Sequence, residues 1–316
     1  MRRWLAMGMV GAAVLGLASE AAAQSAGRLN PVVALHEQGK PVFGLYAPGA
    51  RRGDAGDTRT VADFARETVG YRQSDYIFSG AMEDGVDEAL PSFAAYVSAM
   101  TGAGATARSY PMFLKAPEIE SAQQATRDIG KQLNAGASGI VLVHVESARE
   151  VEQAISAMRF RSVGGTRSED VGDAPSYWGV SEAEYRLEAD LWPLNPEGEL
   201  VVWAIVETPV GLENVREIAQ VDGLSALLPG AGTLRGLFST TGPDGQRQVD
   251  MEAWEGAIQK VLSACKEFEV PCGYPANESD IETRMHQGFS VFVIGWGDGG
   301  FRTIDKGRAM AAHHTP

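Results

Sequence analysis

VVWAIVETPVGLENVREIAQVDGLSALLPGAGTLRGLF, residues Val201–Phe238, is the stretch on which the fold turns. An unbroken apolar run ends in an acid at Glu207, an amphipathic segment follows, and a second apolar run ends in Gly230-Ala231-Gly232-Thr233. Apolar runs of this length, without alternation, belong to strands buried on both faces, which is the condition of a parallel sheet. In such sheets ligands collect where strands end at their carboxyl edge, so Glu207 and the glycine turn mark a candidate site.

Outward from this stretch, the same pattern recurs eight times. Strands are expected at Pro41–Tyr46, Asp75–Ser79, Met112–Lys115, Gly139–Val145, Leu200–Glu207, Ala226–Pro229, Pro271–Tyr274 and Ser290–Gly295. Helix-like segments alternate with them: Asp57–Thr68, Glu88–Met100, Ser121–Asn134, Ala148–Met158, Leu212–Ala219, Met251–Phe268, Ser279–His286 and Thr303–Ala312. Eight strand–helix units in this length predict a closed (β/α)8 TIM barrel over residues 24–316. One long connection, Arg161–Glu199, interrupts the alternation and carries Tyr177, Trp178, Tyr185 and Trp192. It reads either as a lid over the barrel mouth or as a packed surface excursion.

The first 23 residues have the layout of an export signal: Arg2 and Arg3, an apolar core from Trp4 to Ala18, and Ala21-Ala22-Ala23 as cleavage site. The expectation is an exported protein, periplasmic or secreted, with no membrane insertion once the leader is removed; a retained N-terminal anchor is the alternative. Loss of Arg2, Arg3 and Glu20 with the leader takes the net charge from −14 to −15. So acidic a surface repels nucleic acid, and an anionic substrate must be drawn in by local groups. Cys265 and Cys272 lie seven positions apart, with no histidine cluster to suggest zinc. Two separate buried thiols are the preferred reading, and a disulfide is the alternative.

The chain resembles the HpcH/HpaI aldolase and citrate lyase family. The likeness is carried by Val201–Phe238, by Asp75–Phe78, Gly139–Ser147 and Met158–Phe160, and by Ile294–Asp298. It implies a barrel that makes or breaks a carbon–carbon bond beside a 2-oxo acid, with a divalent metal, Mg2+ or Mn2+, stabilising an enolate, and assembly as a homo-oligomer. It also assigns roles. Glu207 falls on the family's metal-binding acid and Gly230 on its glycine. Gly232 and Thr233 replace an Ala-Asp pair whose Asp is the second metal ligand. Glu83 falls on a family Glu, Asp84 on the catalytic His, and Lys115 on the Arg that grips the substrate. The substitutions matter physically: aspartate is a weaker base than histidine at neutral pH, lysine lacks the two-pronged guanidinium, and threonine has no charge for a cation. Hence a rival expectation, a catalytically degenerate barrel that binds a small organic acid or serves as an interaction protein. His144, near the end of the fourth strand, reads either as a satisfied core residue or as a replacement base or ligand.

Overall fold

The computed structural model describes residues 27–49, 58–242 and 245–313. The expected leader, residues 1–23, and Asp57 lie outside them. Eight parallel strands form one sheet: β1 (Val42–Tyr46), β2 (Tyr76–Ser79), β3 (Met112–Lys115), β4 (Gly139–Leu142), β5 (Val201–Val206), β6 (Ala226–Pro229), β9 (Gly273–Ala276) and β10 (Val291–Ile294). The spatial order is β6-β5-β4-β3-β2-β1-β10-β9. A single bridge between Leu227 and Cys272, with Leu227 N–H donating to Pro271 O at 3.0 Å, draws β6 towards β9 and nearly closes the ring. The expected barrel is therefore present.

Period-two alternation sends the barrel strands' buried side chains to two apolar clusters, one inside the ring and one outside it. Val42, Tyr76, Phe78, Phe113, Val141, Val201, Trp203, Ala226, Leu228 and Val291 form one cluster inside the ring. Their neighbours Phe43, Leu45, Ile77, Leu114, Ile140, Val202, Leu227 and Phe292 belong to a second cluster under the helices. Inside, the rings of Tyr76, Phe113 and Trp203 meet at 4.4–5.0 Å between centroids. Gly44 makes room for them, because a Cβ there would stand 2.0 Å from Tyr76 Cζ.

Helix α1 (Pro31–Glu37) closes the bottom of the barrel, where the strands begin, with Val32 and Val33 fully buried in the inner cluster. This short helix has no counterpart among the expected elements. The outer helices are α2 (Val61–Gly70), α3 (Val86–Gly102), α4 (Ala122–Asn134), α5 (Ala148–Met158), α8 (Pro209–Glu213), α9 (Val215–Ala219), α10 (Ala231–Leu237), α11 (Met251–Glu267), α12 (Ile281–Gln287) and α13 (Asp298–His313). Helix α2 starts at a Thr60 capping box, which fixes its first turn without Asp57. A hairpin, β7 (Ser239–Thr241) with β8 (Arg247–Val249), also lies outside the expected elements.

The connection Arg161–Glu199 carries α6 (Ala174–Trp178) and α7 (Glu182–Glu188) and is not a lid. It links a helix to the following strand, and such links lie at the bottom of a barrel. Tyr177 OH donates to Tyr110 O and Trp178 Nε1 to Gly136 O, both just ahead of strands, so Tyr177, Trp178 and Tyr185 are buried packing and Trp192 is partly buried. Strand β4 stops at Leu142, short of the expected Val145, because His144 adopts φ +49° and leaves extended geometry. Cys265 and Cys272 form a disulfide with Cα atoms 5.6 Å apart, which corrects the reading of two separate thiols. The turn after α11 brings the helix end back over β9, within bridging distance. Among the described residues no helix is long and apolar enough to cross a membrane.

Candidate functional site

The mouth of the barrel is built from residues just past the strand ends. Glu207 follows β5 and is only 5% exposed. It does not cap the helix after it: Thr208 does, its Oγ1 accepting from Gly211 N–H at 3.0 Å. Oε1 of Glu207 accepts from the backbone N–H of His144 at 3.3 Å. Gly230, at the end of β6, donates its N–H to Val206 O at 2.9 Å and lies directly against the carboxylate. A Cβ at Gly230 would stand 2.3 Å from Glu207 Oε2 and 2.4 Å from its Cβ, so the glycine is what lets the acid lie there.

Across the mouth, Lys115 at the end of β3 donates from Nζ to both oxygens of Glu83, at 3.0 and 2.9 Å. The charge expected to grip a substrate carboxylate is thus already paired, with one of three N–H donors left over. Asp84 is exposed and lines a cleft of about 550 Å3 with Glu83, Glu118, Arg127, Val143 and His144. Arg127 in that cleft is itself held by Asp128, through Nε at 2.8 Å and Nη2 at 3.0 Å. Gly232 and Thr233, on the first turn of α10, are exposed, and open space surrounds the Cβ position of Gly232. The structure therefore gathers Glu207 with Gly230, and Lys115 with Glu83, and leaves Asp84 and Thr233 on the rim.

Tyr46 was not among the expected site residues. It ends β1, its ring meets Phe78 edge-on at 4.8 Å, and 39% of it is exposed. Burial pushes its phenol above the usual range, Lys115 acts to lower it, and Glu83 and Glu207 act to raise it. Its position as the last residue of an apolar strand, with a polar tip, was the available signal.

His144 carries two further contacts. Its Nε2 lies 3.7 Å from Glu207 Oε1, and its Nδ1 lies 2.5 Å from Glu118 Oε1 without hydrogen-bond alignment. The donor set fits one divalent cation in a limited sense: a desolvated carboxylate with one N–H partner, an imidazole beside it, and remaining positions for water and substrate. Among the described residues no group of three or more His, Cys, Asp or Glu is placed to hold a metal alone.

Fold and mouth together define a parallel α/β barrel with an acid buried at the fifth strand end. The chain belongs to the HpcH/HpaI aldolase/citrate lyase family, whose model matches residues 72–295. That family comprises aldolases and citrate lyases. A 4-hydroxy-2-oxovalerate aldolase from Novosphingobium aromaticivorans is 28% identical over 184 residues, 57% of this chain. That match spans 58% of the aldolase's own length. A family protein from Burkholderia cenocepacia has the same fold, with a TM-score of 0.63 at 18% identity, covering 90% of this chain and all of that one. A protein from Mycobacterium tuberculosis solved with magnesium and acetate is similar at a TM-score of 0.50 and 15% identity, covering 87% of this chain and 97% of that one.

Proposed function

We propose that the protein is a carbon–carbon lyase acting on a pyruvate-type 2-oxo acid aldol, with Glu207 gathering a divalent cation, Mg2+ or Mn2+, into the barrel mouth. One observation carries the reading. Among the described residues, a carboxylate 5% exposed receives one hydrogen bond, from a backbone N–H, while a glycine beside it is kept bare to make room. A buried carboxylate so poorly compensated has a strong need for positive charge. The solved relative with magnesium and acetate supports a cation as the source.

A divalent cation supplies stabilisation for negative charge that develops on a 2-oxo group. The chain's own residues do the remainder. Gly230 positions the Glu207 carboxylate. The N–H groups of Gly232 and Thr233 and the spare donor of Lys115 hold the substrate carboxylate. Glu83 holds the lysine in place, and Asp84, on the cleft side, takes the aldol hydroxyl proton as the carbon–carbon bond breaks to release an aldehyde, then returns it to the carbon that becomes the methyl group of the 2-oxo acid. Export belongs to the same reading, and the Cys265–Cys272 disulfide, suited to an oxidising compartment, supports it.

The rival, a barrel that binds a small acid without turnover, draws on the lack of a three-donor metal cluster among the described residues and on the prior pairing of Lys115. Incubation with Mn2+ and pyruvate in D2O, followed by NMR of the methyl signal, separates the two. Metal-dependent deuteration that Glu207→Gln abolishes is the expected result. Absence of deuteration in the wild type would hand the assignment to the rival.

A further inference from the structure

We infer that His144 supplies the second protein donor of the cation site, in place of the charge missing at Thr233, and that the site therefore prefers a cation accepting imidazole nitrogen, such as Co2+ or Mn2+, over Mg2+. This rests on the reading of Glu207 given above.

Four observations converge on the histidine. First, it breaks β4: with φ at +49° it sits in a backbone region that non-glycine residues seldom occupy, and such strain gathers at functional positions. Second, that backbone turn brings both its N–H and its ring to the same oxygen, Glu207 Oε1, at 3.3 Å and 3.7 Å. The longer separation is beyond a hydrogen bond. It suits two donors on a shared cation, because donors each about 2.1 Å from one ion stand at most about 4.2 Å apart. Third, Glu118 Oε1 lies 2.5 Å from Nδ1, the other ring nitrogen. That carboxylate places negative charge behind the ring, which favours a cation at the nitrogen on the Glu207 side. Fourth, Thr233 is exposed on α10 and neutral, so nothing there duplicates the role. The acidic cleft around Glu83, Asp84 and Glu118 raises the local concentration of cations.

The chemistry sets the preference. Mg2+ favours oxygen donors, whereas an imidazole-carboxylate pair binds Mn2+ and, more strongly, Co2+. Calorimetric titration with CoCl2 and MgCl2 tests this, in a His313→Ala, His314→Ala background that removes the C-terminal histidine pair as a competing site. His144→Gly deletes the ring and keeps a residue that tolerates the positive φ. The parent is expected to bind one Co2+ at least about tenfold more tightly than Mg2+. His144→Gly should weaken Co2+ about tenfold or more, leave Mg2+ within about threefold, and recover Co2+ binding when free imidazole is added. Glu207→Gln should lose both metals. Unchanged Co2+ affinity in His144→Gly, with binding lost in Glu207→Gln, would overturn the role of His144 and leave the Glu207 reading standing. A parent that takes up neither metal would overturn both.

Discussion

Two carboxylates, equally hidden, bracket β5. Glu199 lies below the start of the strand at 3% exposure, and Glu207 above its end at 5%. Glu199 accepts from Asn30 N–H at 2.8 Å and from Arg28 Nη1 at 3.4 Å. Arg28 also pairs with Glu37 and donates to the Gly198 and Pro196 carbonyls. Among the described residues, Glu207 has one backbone N–H and a histidine ring out of hydrogen-bond range. Both acids are almost hidden from solvent; Glu199 has a guanidinium against it, which offsets in part the burial that raises its pKa. The bottom of the barrel satisfies its buried acid internally and so contributes to stability, whereas the mouth leaves its acid short of positive charge for a ligand to supply.

This contrast can be broken at either end. The largest expected effect is at the bottom: Arg28→Met strands Glu199 without a counter-charge and should cost about 3–5 kcal/mol in urea denaturation. A loss under about 1 kcal/mol would remove the bottom's claim to be the stabilising end. Next, Gly230→Ala forces a methyl group against Glu207 and should cost about 1–3 kcal/mol, with cation binding lost alongside. Unchanged cation affinity in that variant would mean that the glycine does not position the acid.

A smaller effect sharpens the comparison through pH. His36, on α1 at the bottom, is half-buried and stacks on Trp192 at 5.5 Å, and burial lowers its pKa to about 4. The unfolded chain takes up this proton near pH 6.5 and the folded chain not until about pH 4. The histidine therefore costs nothing above pH 6.5, and stability falls as pH drops from 6.5 towards 4. The loss should be about 1–2 kcal/mol, discounted for the exposed part of the ring. His36→Phe should flatten that part of the stability-against-pH curve, and an unaltered slope would show that the ring titrates normally.

The barrel was legible in the sequence because its strands are buried on both faces, and burial leaves an uninterrupted apolar run wherever a strand passes. Glu207 was legible for the converse reason, as a charge where the run should continue. What escaped notice was set by contacts distant in sequence. Helix α1 is only seven residues long, and its Val32 and Val33 gain their burial from the ring of strands they plug. The connection Arg161–Glu199 read equally as a lid or a packed excursion, because its aromatic residues were visible and the face they pack on was not. His144 looked like the continuation of an apolar strand, since a positive φ leaves no trace in residue type unless the residue is glycine or asparagine. Lys115 and Glu83, 32 positions apart, could be placed near the mouth but not recognised as one another's partners.

The most direct measurement compares Mn2+ bound per chain, counted by electron paramagnetic resonance, between the wild type and Glu207→Gln, with urea denaturation of both in metal-free buffer. One Mn2+ in the wild type, none in the variant, and a variant at least as stable as its parent would show an acid held for a ligand at a cost to the fold. A wild type that binds no Mn2+, or a variant that binds it equally well, would contradict the account.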